Sequence, residues 1–512
     1  MSAEVELKLT LAPNAARPLG RDPLLVASTV KGPHTQRYYG VYYDTPDRLL
    51  ARNGVALRVR KQGRHWIQTL KEAGRVEGGV HQRPEYEAPA LEGRLNLPAL
   101  QASPVGALFA DTETTAHLAP VFVTDVGRTI RLLRTEMGEV EFALDRGEVR
   151  TDQASEPICE LELELKSGSP QALFDLAVAL QERVRLRIEN RSKVERGQVL
   201  AGVVEPAPSK AQTPAIEAEM AVSAAFRTTA FSCLSHAQAN ERGILAASPD
   251  PEYVHQMRVG LRRLRSAFSV FGPVLPRPAC QPAIDEIRWI ASSLGPARDW
   301  DVFATETLPP IMEAFPGHEE LSQFAEAAAL LRHEGRRVAR DAVGSERYER
   351  LLLRTSAWLA CEKWRVAMPQ DALPLLAESL QPFAARMLQR RHRRVKRRGR
   401  DHESFTAEQR HELRIAVKKL RYCAEFFGPI FEADAVRAYT RGLGELQNVL
   451  GVLNDAAVTA RLLSELSTRH PDLAHGEAPG IVNGWTRHLT LERLGHLSEA
   501  WERFEDAKPF WR

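Results

Sequence analysis

The sequence predicts a two-domain α+β protein, with an antiparallel sheet of about eight strands in residues 1–203 and an all-helical domain in residues 216–510. Two observations predict this division. Charged and apolar side chains alternate, with the two-residue period of a strand, in several short segments before residue 200. Beyond residue 215 the period becomes that of a helix, and a pattern of residues recurs at an offset of 411 − 255 = 156 positions. Residues 204–215, rich in Pro and Ala, are predicted to be a linker.

The composition is that of an ordinary globular protein. The 512 residues are 44% hydrophobic and 26% charged, which is enough for two or three domains with sizeable cores. No stretch approaches the roughly 20 apolar residues of a membrane-spanning helix, and we see no signal-peptide pattern. The five cysteines are scattered without metal-binding spacing, which favours a reducing compartment. We therefore expect a soluble cytoplasmic protein that does not enter a membrane.

The first predicted strand carries a charge at every second residue. Glu4, Glu6 and Lys8 share one face, because alternate side chains of a strand point to opposite sides, and Val5 and Leu7 occupy the other face. Carboxylates suit a hard divalent cation, and a cation beside a lysine suits a phosphate group. An ordinary amphipathic strand with a solvated face would show the same pattern. The pattern therefore indicates a binding site only if other strands repeat it.

The same alternation returns later in the chain. Arg58 and Arg60 share a face, and so do Glu160 and Glu162, each pair alternating with apolar residues. If the sheet closes, the charged face lines a lumen in which charges must be paired or bound to ligands. Acidic strands on one side and basic strands on the other would then hold a metal-bound polyanion. An open sheet with a salt-bridged, solvated face is the alternative.

This ordered set of segments resembles the CYTH domains, or triphosphate tunnel metalloenzymes, over roughly residues 1–200. The resemblance rests on Glu4-Val5-Glu6-Leu7-Lys8, Tyr43-Asp44-Thr45-Pro46, Leu57-Arg58-Val59-Arg60, Thr69-Leu70-Lys71, Gly78-Gly79 to Glu87, Leu144-Asp145-Arg146-Gly147, Cys159 to Ser167 and Ser192-Lys193. It implies an eight-stranded antiparallel tunnel with flanking helices that binds triphosphate with Mg²⁺ or Mn²⁺. The implied metal ligands are Glu4, Glu6, Asp145, Glu160 and Glu162. The implied phosphate-binding residues are Lys8, Arg58, Arg60, Lys71, Arg128 and Lys193, and the implied catalytic residues are Glu4, Glu6 and Lys8.

The tunnel departs from the family pattern at one position. The family often has a second base two positions after the one at Arg128, but here that position is Ile130 and the base lies at Arg131, on the opposite face. This departure puts one phosphate contact, and with it the chain length of the preferred substrate, in doubt. The group that deprotonates the attacking water stays open between a tunnel glutamate and Lys8 with a lowered pKa.

The helical half carries a repeated basic stripe. The first copy, which lies along one side of a helix beside an apolar stripe, consists of His255, Arg258, Arg262 and Arg265. The second copy consists of His411, Arg414, Lys418 and Arg421. A further stretch, Arg386–Arg400, contains His392, nine Lys or Arg residues and no acid.

A basic stripe without acids that occurs twice indicates polyanion binding, since a solvated helix face normally places acids four residues from its bases. Aromatic residues are not interleaved with these bases, which argues against single-stranded nucleic acid, whereas duplex binding through the backbone stays open. Inorganic polyphosphate would satisfy the same stripe. Metal binding by the histidines is disfavoured, because the arginines three residues away would repel a cation.

Residues 216–510 resemble the CHAD domain, on the repeated His-x-x-Arg motifs and on Leu294-Gly295 to Asp301 and Leu450-Gly451 to Asp455. The resemblance implies two duplicated four-helix bundles, in about residues 216–371 and 372–510, around a basic cleft that binds polyphosphate. The implied polyphosphate-binding residues are His255, Arg258, Arg262, Arg265, His392, Arg393, Arg397, His411, Arg414, Lys418 and Arg421.

Together the two resemblances imply a metal-dependent enzyme that hydrolyses inorganic triphosphate to diphosphate and phosphate and that binds inorganic polyphosphate, with a location at polyphosphate granules. Nucleic acid is not an expected partner. One alternative is another CYTH activity, either thiamine triphosphatase or adenylate cyclase. The other is a non-enzymatic scaffold that binds polyphosphate granules or nucleic acid.

Overall fold

The chain divides into two units. The computed structural model describes residues 5–72, 74–82, 84–370 and 373–512. Backbone contacts group residues 1–207 with 349–362, and residues 208–348 with 363–512. The sheet lies in the first unit and long helices follow it in the chain, which confirms the predicted α+β architecture.

The described residues of the first unit form one antiparallel sheet of eleven strands. The strands are β1 (Glu6–Thr10), β2 (Thr29–Asp44), β3 (Val55–Gln62), β4 (His65–Glu72), β5 (Arg75–Glu77), β6 (Val80–Gln82), β7 (Glu85–Pro89), β8 (Ala119–Thr135), β9 (Gly138–Arg150), β10 (Ser155–Gly168) and β11 (Arg187–Ile188). Their order is β5-β6-β1-β10-β9-β8-β2-β3-β4-β7, with β11 paired to β1. The sequence predicted about eight strands, because β5, β6 and β11 are too short to show a two-residue period.

The sheet curls into a half-barrel. β6 pairs with β1 near one end of the strand order, whereas β7, the next strand in the chain, pairs with β4 at the other end. This short stretch of chain therefore draws the two ends of the sheet together. Leu7 and Leu163 are fully buried where helix α6 (Gln171–Gln181) packs on β1, β9 and β10. The charged side chains of the same strands point to the opposite, enclosed side, which we call the tunnel.

Helices flank the sheet, as predicted. Those of the first two hundred residues are α1 (Ala16–Leu19), α2 (Pro23–Ser28), α3 (Leu49–Arg52), α4 (Leu97–Gln101), α5 (Thr112–Ala116), α6 and α7 (Lys193–Leu200). α7 begins with a capping box, in which the side chains of Ser192 and Glu195 accept from each other's backbone N–H groups. The cap fixes the start of α7 and places Lys193 at its first position.

Helices make up most of the chain after residue 221. They are α8 (Val222–Ala239), α9 (Glu241–Leu245), α10 (Glu252–Val270), α11 (Arg277–Ser293), α12 (Gly295–Val302), α13 (Leu308–Ala314), α14 (Glu319–Val343), α15 (Glu346–Ala360), α16 (Leu373–Ala377), α17 (Leu380–Arg398), α18 (Ala407–Phe427), α19 (Ala433–Arg469), α20 (Glu477–Gly495) and α21 (Leu497–Asp506). No helix among the described residues is both long enough and apolar enough to cross a membrane.

The two copies of the repeat differ in one helix. At the offset found in the sequence, α10 matches α18, and the interrupted run α11–α13 matches the continuous α19. Pro296 lies in the first turn of α12, where the N–H group that it lacks is not needed. Val452 holds the equivalent position in the second copy and continues α19. The order of helices thus preserves the duplication, apart from this break.

Candidate active site

Charged side chains of β1 and β10 meet inside the tunnel. The two strands pair so that Lys8 stands opposite Glu162. The Lys8 Nζ atom lies 2.9 Å from Glu6 Oε1 and 3.2 Å from Glu162 Oε1, and only 11% of the Lys8 side chain is exposed. These ion pairs face the enclosed side of the sheet, as the alternation predicts. Glu4 lies outside the described residues.

Three buried carboxylates, which we call the acid cluster, come from β9 and β10. Asp145 stands opposite Glu160, and Glu162 follows on the same face. Each offers one carboxylate oxygen, and the three oxygens lie within 4.8 Å of one another. Asp145 and Glu160 are each 1% exposed. Hard divalent cations prefer oxygen ligands of this kind, so the donor set fits Mg²⁺ or Mn²⁺.

The start of α7 supplies two cations to the acid cluster. Lys193 Nζ lies 2.8 Å from both Asp145 Oδ2 and Glu162 Oε1, and it contacts Glu160 as well. Burial alone would lower the pKa of Lys193, but the three carboxylates raise it well above its usual value. Arg196 Nη1 lies 3.3 Å from Glu160 Oε2. Sequence analysis missed Arg196, although its spacing of three residues from Lys193 places both on one side of the helix.

Arg128 on β8 binds the acid cluster from the next strand. Its Nε donates to Asp145 Oδ1 and its Nη2 to Oδ2, each at 2.7 Å, and Nη2 also contacts Glu162. Burial alone would lower the pKa of Arg128, but Glu162 and Asp145 raise it well above its usual value. Arg131 lies on the outer face, where it donates to the carbonyl oxygen of Gly20. The base at position 131 therefore does not reach the tunnel.

The bases of β3 and β4 pair with acids of β7. Lys71 contacts Glu85, and Arg60 Nη2 lies 3.7 Å from Glu87 Oε1. Burial, and then the charge of Arg58, lower the pKa of Lys71 although Glu85 opposes the change. Sequence analysis assigned no site role to Glu85 or Glu87, and their alternate spacing in β7 was the available signal.

An aromatic ring and a glycine position the arginines. The guanidinium carbons of Arg60 and Arg128 lie over the ring of Tyr38, 5.0 and 5.6 Å from its centroid. Gly40 leaves room for Arg58, since a Cβ atom at position 40 would lie 3.3 Å from Arg58 Cδ. Sequence analysis missed Tyr38 and Gly40 because neither takes part in the charge pattern.

The acidic and basic groups share one interior. Tyr42 on β2 is buried, and its ring stacks on Phe122 with centroids 4.4 Å apart. Burial would raise the pKa of Tyr42, but the charges of Arg58 and Lys71, with a smaller effect of Lys193, lower it. The phenol therefore lies between the bases of β3 and β4 and the start of α7. Such an interior can neutralise a short polyanion while carboxylates hold a cation.

The carboxylates around Lys8 set the direction of its pKa shift. Burial would lower its pKa, but Glu162 and Glu6 raise it above its usual value. The identity of the group that deprotonates water stays a prediction, with the tunnel glutamates and Lys8 as its two alternatives.

The two copies of the basic stripe meet in the helical unit. α10 packs against α18, and Arg262 Nε donates to the hydroxyl group of Tyr422. Burial, and then the charges of Arg414 and Arg262, lower the pKa of Lys418 to about 8. Burial likewise lowers the pKa of Arg258, whose neighbours include Arg262. We call Arg258, Arg262, Arg414 and Lys418 the basic cluster.

Four other predicted residues lie along the same two helices. Burial lowers the pKa of His255, which lies near Arg262. Arg265 and His411 are exposed. Arg421 is paired with Glu425 on its own helix, at 2.8 Å. These positions add positive charge around the basic cluster.

His392 lies in the interior of the helical unit. It is 6% exposed, its Nδ1 atom lies 2.8 Å from the Tyr439 hydroxyl group, and its ring packs beside Phe504 and Trp511. Burial, assisted by nearby cations, lowers the pKa of His392 to about 4, so the ring is neutral at neutral pH. The expectation that His392 contacts polyphosphate is therefore wrong.

Arg461 on α19 adds a further cation to the surroundings of the basic cluster. It forms an ion pair with Asp299, whose pKa is raised by burial. Sequence analysis missed Arg461 because its position is not repeated in the first copy. Arg393 and Arg397, which it predicted, are exposed on α17.

Family models match both halves of the chain. A CYTH-domain model matches residues 2–198 and a CHAD-domain model matches residues 228–464. An inorganic triphosphatase of Haemophilus influenzae is 34% identical over 201 residues, which make up 39% of this chain and about half, 55%, of that relative. An uncharacterized protein of Mycobacterium tuberculosis is 27% identical over 482 residues, 89% of this chain and 87% of that relative. A solved CHAD domain from the plant Ricinus communis is 34% identical with a TM-score of 0.52, and the match covers 59% of this chain and 98% of that one.

Proposed function

Because the chain belongs to the CYTH–CHAD proteins, with the CYTH domain first, we propose that its tunnel hydrolyses inorganic triphosphate to diphosphate and phosphate. The proposal rests on one observation. A buried acid cluster contacts Lys8, Arg128 and Lys193 within the tunnel that the bases of β3 and β4 also line. The name of the Haemophilus influenzae relative supports this choice of substrate.

The chain provides separate groups for the metal and for the phosphates. The acid cluster, together with Glu6, would hold Mg²⁺ or Mn²⁺, and the bound cation would neutralise charge on the phosphoryl oxygens. Arg58, Arg60 and Lys71 would bind the phosphate chain from the other side. Contacts from both sides would hold the terminal phosphorus in line for attack by water.

Hydrolysis then needs one proton acceptor and a stabilised leaving group. The water oxygen forms a bond to the terminal phosphorus while the bridging P–O bond breaks, and the electron pair of that bond leaves with diphosphate. We propose that a tunnel glutamate accepts the proton of the water. Lys8, Arg128 and the bases of β3 and β4 stabilise the negative charge that moves onto the leaving diphosphate.

Phosphate release from a panel of substrates tests this activity. The panel contains tripolyphosphate, pyrophosphate, ATP and thiamine triphosphate, each with Mg²⁺ or Mn²⁺. We expect tripolyphosphate to be preferred, and we expect activity to disappear in EDTA and in the double variant Glu160→Gln/Glu162→Gln. A preference for thiamine triphosphate, or cyclic AMP made from ATP, would replace the proposed reaction. No release from any substrate would refute it.

We further propose that the helical domain binds inorganic polyphosphate through the basic cluster. Four cations from two helices lie together, and burial has already removed part of the hydration of three of them, Arg258, Arg414 and Lys418. Calorimetric titration of the full chain with long-chain polyphosphate, at low and raised salt, tests this. Binding should weaken as salt increases, because polyphosphate releases counterions when it binds. No binding at low salt would refute the proposal. Such binding would also bring the protein to polyphosphate granules.

A further inference from the structure

Arg196 on α7 is bound by a single strand through three of its nitrogen atoms. Its Nε donates to Glu156 Oε1 at 3.0 Å, its Nη1 to Glu160 Oε2 at 3.3 Å, and its Nη2 to the carbonyl oxygen of Pro157 at 2.6 Å. All three acceptors belong to β10, and the Arg196 side chain is buried. Because a guanidinium group is planar and its donors have fixed directions, three such bonds hold the side chain in one orientation. Arg196 therefore presents a fixed donor to Glu160.

The two oxygens of the Glu160 carboxylate contact different cations. Oε2 accepts from Arg196, whereas Oε1 contacts Lys193. Lys193 also contacts the other two members of the acid cluster, so Oε1 lies on the side of the cluster. The last torsion of a glutamate side chain has a broad minimum, so the rotamer alone does not decide which way the carboxylate faces. The hydrogen bond from Arg196 to Oε2 limits that torsion and keeps Oε1 directed toward the acid cluster.

Apolar contacts, separate from these ion pairs, hold α7 against the sheet. Val194 is buried in a cluster with Phe122 of β8. Gly197 follows Arg196 directly, and a Cβ atom at position 197 would lie 2.2 Å from Phe122 Cε2. A residue with a side chain would not let α7 approach the sheet this closely. Because this packing lies beside Arg196 and does not involve its side chain, we expect α7 to stay in place when Arg196 is replaced by lysine.

We propose that Arg196 is a positioning residue, which holds Glu160 Oε2 so that Oε1 is presented to the divalent cation of the tunnel. This inference rests on the proposed function, in which the acid cluster holds such a cation. Lys193 and Arg196 then have opposite effects, although both are cations of α7 that contact Glu160. Lys193 competes with the divalent cation for Oε1, whereas Arg196 binds the oxygen on the other side. Hydrogen-bond partners of metal ligands typically contribute about 10–100-fold to metal affinity.

Titration of the full chain with Mn²⁺ in the absence of substrate tests this role without any measurement of turnover. Calorimetry measures Kd for the wild type, for Arg196→Lys and for the control Arg191→Lys. Arg196→Lys keeps the charge but replaces the planar set of donors with a single ammonium group. The control is matched because Arg191 Nη2 also lies near Glu156, 3.8 Å from Oε1, although its closer partner is Glu189 at 3.1 Å. Circular dichroism checks that each variant is folded, and Arg196→Gln replaces the lysine variant if that variant is not.

We expect Arg196→Lys to raise Kd for Mn²⁺ by roughly tenfold, Lys193→Met to lower it, and Arg191→Lys to leave it unchanged. In steady-state assays, Arg196→Lys should need roughly ten times more Mn²⁺ for half-maximal turnover of tripolyphosphate. At saturating Mn²⁺ its KM should stay within about twofold of the wild-type value, because the bases of β3 and β4 are unchanged. General damage to the fold would change that KM as well.

Three results would contradict the role of Arg196. They are an unchanged Kd for Mn²⁺ in a folded variant at position 196, an equal rise in Arg191→Lys, and a wild type that binds no Mn²⁺. The proposed function fails separately, if the wild type binds Mn²⁺ but releases no phosphate from tripolyphosphate. The positioning of Glu160 would then still stand on the Mn²⁺ titrations.

Discussion

Replacing Lys193 with methionine should show how strongly the acid cluster depends on one ammonium group. The variant Lys193→Met keeps the length of the side chain but removes the cation that contacts all three carboxylates. Loss of one partner from a buried ion pair costs about 3–5 kcal/mol. The lower value applies here, because Arg128 and Arg196 still contact the cluster. Since 1 kcal/mol changes Tm by about 2–4 °C in a domain of this size, a loss of about 3 kcal/mol predicts a Tm lower by about 6–12 °C.

Differential scanning calorimetry in EDTA measures this change, with Lys166→Met as the matched control. Lys166 also contacts two carboxylates, those of Glu141 and Glu164, but 36% of its side chain is exposed. Water screens such exposed ion pairs, so Lys166→Met should lower the free energy of unfolding by less than about 1 kcal/mol. Equal Tm values for the two variants would refute the argument that Lys193 neutralises the acid cluster.

The same variant reports on metal binding without any measurement of activity. The acid cluster of Lys193→Met should accept a divalent cation more readily than that of the wild type, where the ammonium group competes for the same oxygens. A cation at 100 times its Kd adds about 2.7 kcal/mol of stability, nearly the amount that the substitution removes. Mn²⁺ should therefore raise the Tm of Lys193→Met more than that of the wild type. An equal rise in both proteins would count against a metal site at these carboxylates.

Three further predictions concern single residues. Lys418 has a pKa of about 8, so it loses its charge as pH rises through that value. Because the uncharged amine no longer attracts the phosphates, Kd for long-chain polyphosphate should increase between about pH 7 and pH 9. Titrations of Lys418→Arg should show much less of this dependence, and equal profiles would contradict the assignment. Tyr38→Leu should raise KM for tripolyphosphate about fivefold, because it removes two weak cation–π contacts, whereas Tyr38→Phe keeps the ring and should leave KM unchanged. Steady-state kinetics measures both KM values. Equal KM values in the two variants would show that the ring has no role. Glu160→Gln should lower kcat by about 100-fold at saturating Mg²⁺, and near-normal turnover would remove Glu160 from the site.

The tunnel was predictable because a strand's two-residue period fixes which side chains share a face. That period alone put Lys8 and Glu162 on the charged faces of β1 and β10, and the resemblance to CYTH domains then selected them as site residues. The contributions of Tyr38 and Gly40 could not be predicted in this way. They depend on the pairing of β2 with both β3 and β8, and those pairs join residues far apart in the chain.

The error at His392 has a local cause. The sequence around His392 is so basic that the prediction followed its charge and not the side of the helix on which His392 lies. Leu388 precedes His392 by four residues and Val395 follows it by three, and both are fully buried. This spacing places His392 on the apolar side of α17, so the helical period alone would have predicted that His392 is buried.

The charge balance of the tunnel depends on a helix that follows the last long strand. The last long strand, β10, stops at Gly168, but two of the cations that neutralise its acids arrive later, with α7. A fragment cut before Ser192 would keep the long strands and lose both of these cations. Its interior would hold an excess of negative charge, and we expect such a fragment to swell or precipitate at neutral pH unless a multivalent counter-ion takes the place of the missing helix.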